Sequence, residues 1–170
     1  SFKGCQCKAV TIPASVTHID CEAFAYDMPN LERYTVDVNN TQYSSDENGI
    51  LYSARTADEY KTLFAYPKNA PAESLSLTIV EIAPFAFTKV ANLKSITLTS
   101  YSKQLSYNID KYAFYNATSL ESVAMEGYVN SIGDYAFAHC PSLQSATISD
   151  VVEQLGWELF NNTPFTSSYK

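Results

Sequence analysis

The chain has 170 residues, 11 basic and 18 acidic side chains and a formal net charge of −7. Charged residues make up 17% against 46% hydrophobic and 14% aromatic, with 13 Tyr and 9 Phe, which excludes a disordered chain. The acidic balance excludes a protein built to neutralise phosphates, so nucleic acid is not an expected partner, and 5 Gly are too few for an obvious glycine-cradled nucleotide site.

No apolar run reaches the roughly 20 residues of a membrane span, so no membrane insertion is expected. Ser1 is followed by no basic and apolar leader pattern, which reads as a processed piece of a longer protein. The length suits one domain or one stretch of a repeat array.

One pattern recurs along the chain: an aliphatic residue, three variable residues, Ala-Phe, a short turn, a Leu, and apolar residues three and five after that Leu. A partial copy opens at Phe2, with Cys7 in the Leu slot and then Val10 and Ile12. The first full copy is Ile19, Ala23, Phe24, Leu31, Tyr34 and Val36, with one extra residue at Asp27-Met28. Next come Ile82, Ala86, Phe87, Leu93, Ile96 and Leu98, then Ile109, Ala113, Phe114, Leu120, Val123 and Met125. Ile132, Ala136, Phe137, Leu143, Ala146 and Ile148 follow, and Leu155, Leu159 and Phe160 make a degenerate last copy. Ile109, Ile132 and Leu155 are spaced by 23 residues, Ile82 and Ile109 by 27, and Ile19 and Ile82 by 63, which leaves an insertion of about 40. A period in the twenties is that of leucine-rich repeats. No single repeat can bury these groups, so neighbours must stack into one continuous core.

The insertion reads as a hairpin. Ile50-Leu51-Tyr52 and Thr62-Leu63-Phe64-Ala65-Tyr66 are β-favouring runs, joined by a polar loop from Arg55 to Tyr60 and ended by Pro67. Asp46-Glu47-Asn48-Gly49 reads as a turn, because its spacing does not match a calcium loop.

The segments Thr11-Ile12-Pro13-Ala14-Ser15-Val16-Thr17-His18-Ile19, Ile132-Gly133-Asp134-Tyr135-Ala136-Phe137-Ala138-His139-Cys140 and Pro141-Ser142-Leu143 resemble BspA-type leucine-rich repeats. Asn39 to Ser45, Asn48 to Tyr52 and Leu63 to Pro67 resemble the hairpin module that interrupts such arrays. The resemblance implies a leucine-rich repeat solenoid, β-rich with short helical or irregular return arms, in a right-handed curved array over residues 1–170 with an inserted module at 37–68. It also implies a secreted or cell-surface setting and, for some members, adhesion to matrix proteins such as fibronectin.

No enzyme is expected. Motifs for nucleophilic, zinc and phosphate chemistry are missing from the sequence, and His18 and His139 fall in different slots of different repeats. No cofactor and no metal is implied. Cys5 and Cys140 each lie three residues after a Phe, so both read as small structural thiols; the slots favour free thiols over a Cys7–Cys21 disulfide. Asn39, Asn116 and Asn161 each open a glycosylation sequon.

The residues at +2 and +4 from each Leu should face outward. They are small, mostly hydroxylated side chains, and Arg33 is the exception. Tyrosine gathers elsewhere: Tyr101 and Tyr107 with Lys103 in the 99–108 loop, Tyr128 in the matching loop one repeat on, and Tyr43, Tyr52 and Tyr60 in the inserted module. Tyr offers contact area with few torsions and a polar tip. These residues and Arg33 are the candidate contacts for an extracellular or host protein. A structural spacer and a glycan-binding surface are the alternative functions. Neither end shows a polar cap, so neighbouring repeats or end-to-end self-association are expected.

Overall fold

The computed structural model describes residues 4–25, 28–53, 60 and 62–167. Phe2, Asp27 and most of the loop from Arg55 to Tyr60 lie outside them. Strands β1 (Ala9–Ile12) and β2 (Arg33–Val36) pair in parallel. Strands β3 (Tyr43–Ser45), β4 (Leu51–Ser53) and β5 (Thr62–Ala65) form an antiparallel meander. From there each coil supplies two strands. The first of each pair are β6 (Ser74–Ile79), β8 (Ser95–Ser100), β10 (Ser122–Glu126) and β12 (Ser145–Ile148), which form one parallel sheet. The second are β7 (Glu81–Ile82), β9 (Tyr107–Ile109), β11 (Val129–Ile132) and β13 (Val152–Leu155), which join the meander in a sheet ordered β13-β11-β9-β7-β5-β4-β3.

The solenoid expected from the repeat is therefore present, with two refinements. The aliphatic residue that opens each repeat lies on a second parallel sheet. The return arms are chains of turns, and helix among the described residues is confined to the four-residue 3-10 turns Cys21–Phe24 and Pro164–Ser167.

The arms have their own hydrogen-bond logic. In the third arm Ala113, Tyr115 and Ala117 donate N–H three residues back within the coil, while Tyr112, Phe114 and Asn116 donate to Asp134, Ala136 and Ala138 of the next coil at 2.7–3.0 Å. Alternation of this kind needs left-handed residues. They recur in two slots, Phe85, Tyr112, Tyr135 and Glu158 in one and Lys89, Asn116, His139 and Asn162 in the other, with φ from 47° to 62°. Each bulky residue there costs about 1–2 kcal/mol, offset by an N–H that would otherwise go unpaired.

The Ala-Phe and Leu slots form the core. Phe87, Phe114 and Phe137 are fully buried, as are Leu31, Leu120 and Leu143. The Phe rings stack at centroid distances of 4.5 and 4.8 Å, and Tyr66 and Phe160 extend the column at its ends at 4.9 and 5.5 Å. Such pairs add about 0.5–1.5 kcal/mol each beyond burial. The degenerate last copy departs from the pattern, because Leu155 stands on the outermost strand and is 47% exposed.

The hairpin is built into the array. Leu63 pairs with Ile82 across β5 and β7, and Tyr66 N–H donates to Ala86, so Leu63 fills the aliphatic slot and Tyr66 the Phe slot of a shortened coil. Ile50 and Leu63 pack into the main core, whereas Leu51 and Ala65 pack into the core of the first coil.

Cys140 is a buried free thiol, and Cys21 is also free. Cys5 and Cys7 depart from the expected free thiols. They are joined in a disulfide with Cα atoms 5.4 Å apart, in a turn where Cys7 N–H also points at Cys5 Sγ.

Two substitutions probe this packing. Tyr34 occupies a slot held by aliphatic residues in other coils, and its hydroxyl is buried without a hydrogen bond. Tyr34→Phe should therefore raise the unfolding free energy by about 1 kcal/mol in urea titration. At Gly133 an added Cβ would lie 2.4 Å from Lys111 N and 2.8 Å from Asp110 C. Gly133→Ala should lower stability by about 2 kcal/mol in the same assay, because the two coils cannot separate without breaking their ladder.

Candidate functional site

β8 ends at Ser100, and the chain then turns through residues 101–106, held by Leu105 N–H on Ser102. This turn sets Tyr101 on the surface, 43% exposed, and lays it edge-on against Tyr60 of the module loop at 4.8 Å. Tyr52, on β4, lies beside Tyr101 and donates its hydroxyl to Asp46 Oδ2 at 3.1 Å. Burial, then the Asp46 charge and hydrogen bond, then Tyr101, push the Tyr52 hydroxyl well above its usual range, so it stays a donor. Tyr128 joins from the next coil, its N–H on Ser100 Oγ at 2.9 Å. Lys103 is exposed on the same turn. Thus Tyr52, Tyr60 and Tyr101 meet at one corner, where the module joins the turn after β8, with Lys103 exposed on that turn and the backbone of Tyr128 bonded to Ser100 just before it.

The remaining candidates are elsewhere. Tyr107 is not a loop residue: it opens β9, is fully buried and points its hydroxyl toward Leu98 C=O at 3.5 Å. The four extra residues of this repeat end just before it. Tyr43 is also a core residue, its hydroxyl accepting from Ile19 N–H at 2.8 Å while its ring packs on Phe64. Arg33 is exposed on β2 and borders a different cleft with Glu32, Glu47 and Ser74.

Two features were missed in the sequence. Phe85, Tyr112 and Tyr135 form a second aromatic ladder on the arms, with centroids 5.3 Å apart and nearly parallel planes. The signal was there, since the residue before Ala-Phe is aromatic in three successive copies. The rings cover one another's faces, so the ladder presents edges outward. The second feature is an acidic pair. Asp110 follows β9, half-buried, and shares a hydrogen bond with Glu81 on β7, whose Oε2 accepts from Thr62 Oγ1 of the module at 2.7 Å. Burial first, then the Glu81 charge and hydrogen bond, raise the Asp110 carboxyl to about 6, and Lys111 opposes this.

The other reactive groups are held in structural contacts. Cys140 donates to Phe114 C=O, and burial pushes its thiol up to about 12. Cys21 is also raised, by burial and by Asp20 and Glu22. The His139 ring packs on Tyr115 and meets Asn162 at 3.4 Å. Among the described residues no group of three or more His, Cys, Asp or Glu could hold a metal ion, and no helix is long and apolar enough to cross a membrane.

A family model described as BspA type leucine rich repeat region matches residues 1–48 and 60–169 in six copies. Among solved structures the chain is similar to a leucine-rich repeat protein from Eubacterium ventriosum, at 24% identity and a TM-score of 0.77 over 92% of this chain and 40% of that one. It is similar to the pneumococcal vaccine antigen PcpA at 17% identity and a TM-score of 0.52, over 86% and 45% of the two chains. A leucine rich cell surface protein from Faecalibacterium prausnitzii matches at 20% identity and a TM-score of 0.49, over 84% and 48%. The chain therefore spans less than half the length of each of these structures, and at these identities the likeness is one of fold. No curated protein sequence matches it.

The acidic pair gives folding a definite pH dependence. A carboxyl raised to about 6 in the fold holds its proton more tightly than in the unfolded chain. Its stabilising contribution is present in full below the unfolded value near 4 and is lost as pH rises through about 6. Asp110→Asn keeps the hydrogen bond without the charge. The variant should exceed the parent by about 1 kcal/mol at pH 7, discounted for the exposed half of the group, and match it at pH 4 in paired denaturant titrations.

Proposed function

The chain belongs to the BspA-type leucine-rich repeat family, and from that premise we propose that it is an extracellular, adhesin-like recognition module that binds a protein of a host or neighbouring cell through its tyrosine corner. One observation carries the reading: Tyr52 and Tyr60 of the module and Tyr101 of the following coil gather at one place, with Lys103 exposed on the same turn as Tyr101. Tyrosines pre-ordered by stacking lose little entropy on binding, and a nearby cation adds charge selectivity. In the other tyrosine surface, the ladder of Phe85, Tyr112 and Tyr135, both faces of the central ring and one face of each end ring are covered. This disfavours glycan stacking along the arms. The surface setting is supported by the family and by the name of one similar structure, a vaccine antigen. Adhesion to a matrix protein is the form of the function that this proposal favours over a passive spacer.

The test is surface plasmon resonance of the chain over immobilised fibronectin, laminin and collagen. Binding to one of them should weaken about tenfold in Tyr101→Ala and further in Tyr101→Ala with Lys103→Ala, with unchanged circular dichroism. Tyr107→Ala should instead report on folding, through a lower melting temperature. Full affinity in the double variant, or binding to a glycan array with none to protein, overturns the proposal.

A further inference from the structure

The two sheets of the solenoid do not have equal numbers of strands. From β6 onward each coil supplies one strand to each sheet, β6 then β7, β8 then β9, β10 then β11 and β12 then β13, and β2 is followed by β3 in the same way. β4 and β5 are additional, and no strand of the first sheet matches them. At about 4.8 Å per strand, two strand widths therefore have to be filled between β2 and β6.

One of the two is filled. The turn Asp46–Gly49 lies along β2, where Gly49 C=O accepts from Tyr34 N–H at 2.9 Å and Ser45 Oγ accepts from Val36 N–H at 3.1 Å. The fit is close, since a Cβ on Gly49, which has φ of 74°, would lie 2.5 Å from Arg33 Cβ. The other width is a cleft of about 450 Å³, with Tyr66 and Ala70 in its floor, Arg33 and Glu47 on one side and Ser74 to Ser76 on the other.

The β6 side of this cleft is an open strand edge. β6 pairs with β8 alone, and Ser95 N–H donates to Glu73 C=O. In that parallel register the even-numbered residues Ser74, Ser76 and Thr78 turn their N–H and C=O groups away from β8. Among the described residues none of them makes another hydrogen bond. The sequence of the edge, Ser-Leu-Ser-Leu-Thr-Ile, has no Pro, Lys or bulge to blunt it. The charges at the mouth also differ from one another. Glu32 is held by Lys8 at 3.1 Å and Glu73 by Lys94 at 2.8 Å, whereas among the described residues no ion pair engages Arg33 or Glu47.

We infer that the cleft between the Asp46–Gly49 turn and β6 is a strand-addition site, which takes an extended segment of a partner protein carrying side chains of both charges. The segment pairs its main chain with Ser74, Ser76 and Thr78, presents an acidic side chain to Arg33 and a basic one to Glu47, and sets a small apolar residue over Tyr66 and Ala70. Main-chain pairing supplies affinity, and the charged mouth and the floor supply selectivity. The site reads backbone, unlike the tyrosine corner, and stands or falls independently of it.

The probe is a phage-displayed library of random linear dodecapeptides, panned on the chain, with enriched peptides synthesised and titrated by calorimetry. Ser76→Pro removes one outward N–H and leaves the β6–β8 ladder intact, which an edge strand tolerates. It should weaken the enriched peptides at least tenfold, and Arg33→Ala with Glu47→Ala should weaken them about fivefold to tenfold. In the unsubstituted chain, bound peptide should slow amide exchange at Ser74, Ser76 and Thr78 at least tenfold, a readout that needs no variant to fold. No enrichment, equal affinity for Ser76→Pro in its folded form, or protection confined to residues 99–106 overturns the inference. Protection of the same amides by concentration alone, with sedimentation as a dimer, overturns the partner-segment reading in favour of a second copy.

Discussion

Every coil must hand its backbone N–H groups to the next one, in the arms as well as in the strands. In the sheets this is routine parallel pairing. In the arms it requires alternate residues to reverse their amides, and the left-handed backbone of Tyr112, Asn116, Tyr135 and His139 is how that is done. The positions of the side chains follow. With the amides aimed along the axis, the middle one of the three residues between the two left-handed positions must point inward, and it is the buried Phe of each copy. The residue at the first left-handed position points outward, where it becomes the ladder of Phe85, Tyr112 and Tyr135.

The same constraint explains how the module is accommodated. An insertion can interrupt a solenoid only if it leaves no orphan ladder. Here β5 takes the parallel partner that β7 requires, and β4 and β3 then reverse direction and close off the second sheet toward the first coil. The module is thus buried on both sides, and its tyrosines divide accordingly. Tyr43 and Tyr66 are committed to cores, while Tyr52 and Tyr60 reach the surface where the turn at 101–106 meets them.

Much of this was legible in the sequence because a stacked core imposes the same steric demand once per coil. Ala86, Ala113 and Ala136 beside their Phe residues, and Leu93, Leu120 and Leu143, declare their burial by recurrence alone. The outward-facing hydroxyl residues were legible for the same reason, through alternation in the strands. What was not legible depended on lengths and on partners. Leu63 and Tyr66 sit three apart where the full pattern has five, so the shortened coil was hidden inside the insertion. Tyr107 looked like a loop residue because nothing local marks where the four extra residues end. Of the site, the tyrosines were visible one by one. Their convergence was not, since it depends on how the module meets the turn that follows β8. Left-handed tyrosines defy local propensity outright, because the inter-coil bond, not the residue, chooses the backbone there. The disulfide at Cys5 and Cys7 escaped a register argument that treats each slot as independent of its neighbours.

The two-faced burial of the module has a consequence for how such an array grows. A coil copied between Ile109 and Ile132 would meet the same ladder above and below it, so duplication there requires no new complementarity. A copied module would not, because Leu51 and Ala65 face one core while Ile50 and Leu63 face another. Lengthening by gene duplication is therefore easy among the coils that follow the module and obstructed at the module itself, which acts as a fixed punctuation mark in an otherwise extensible text.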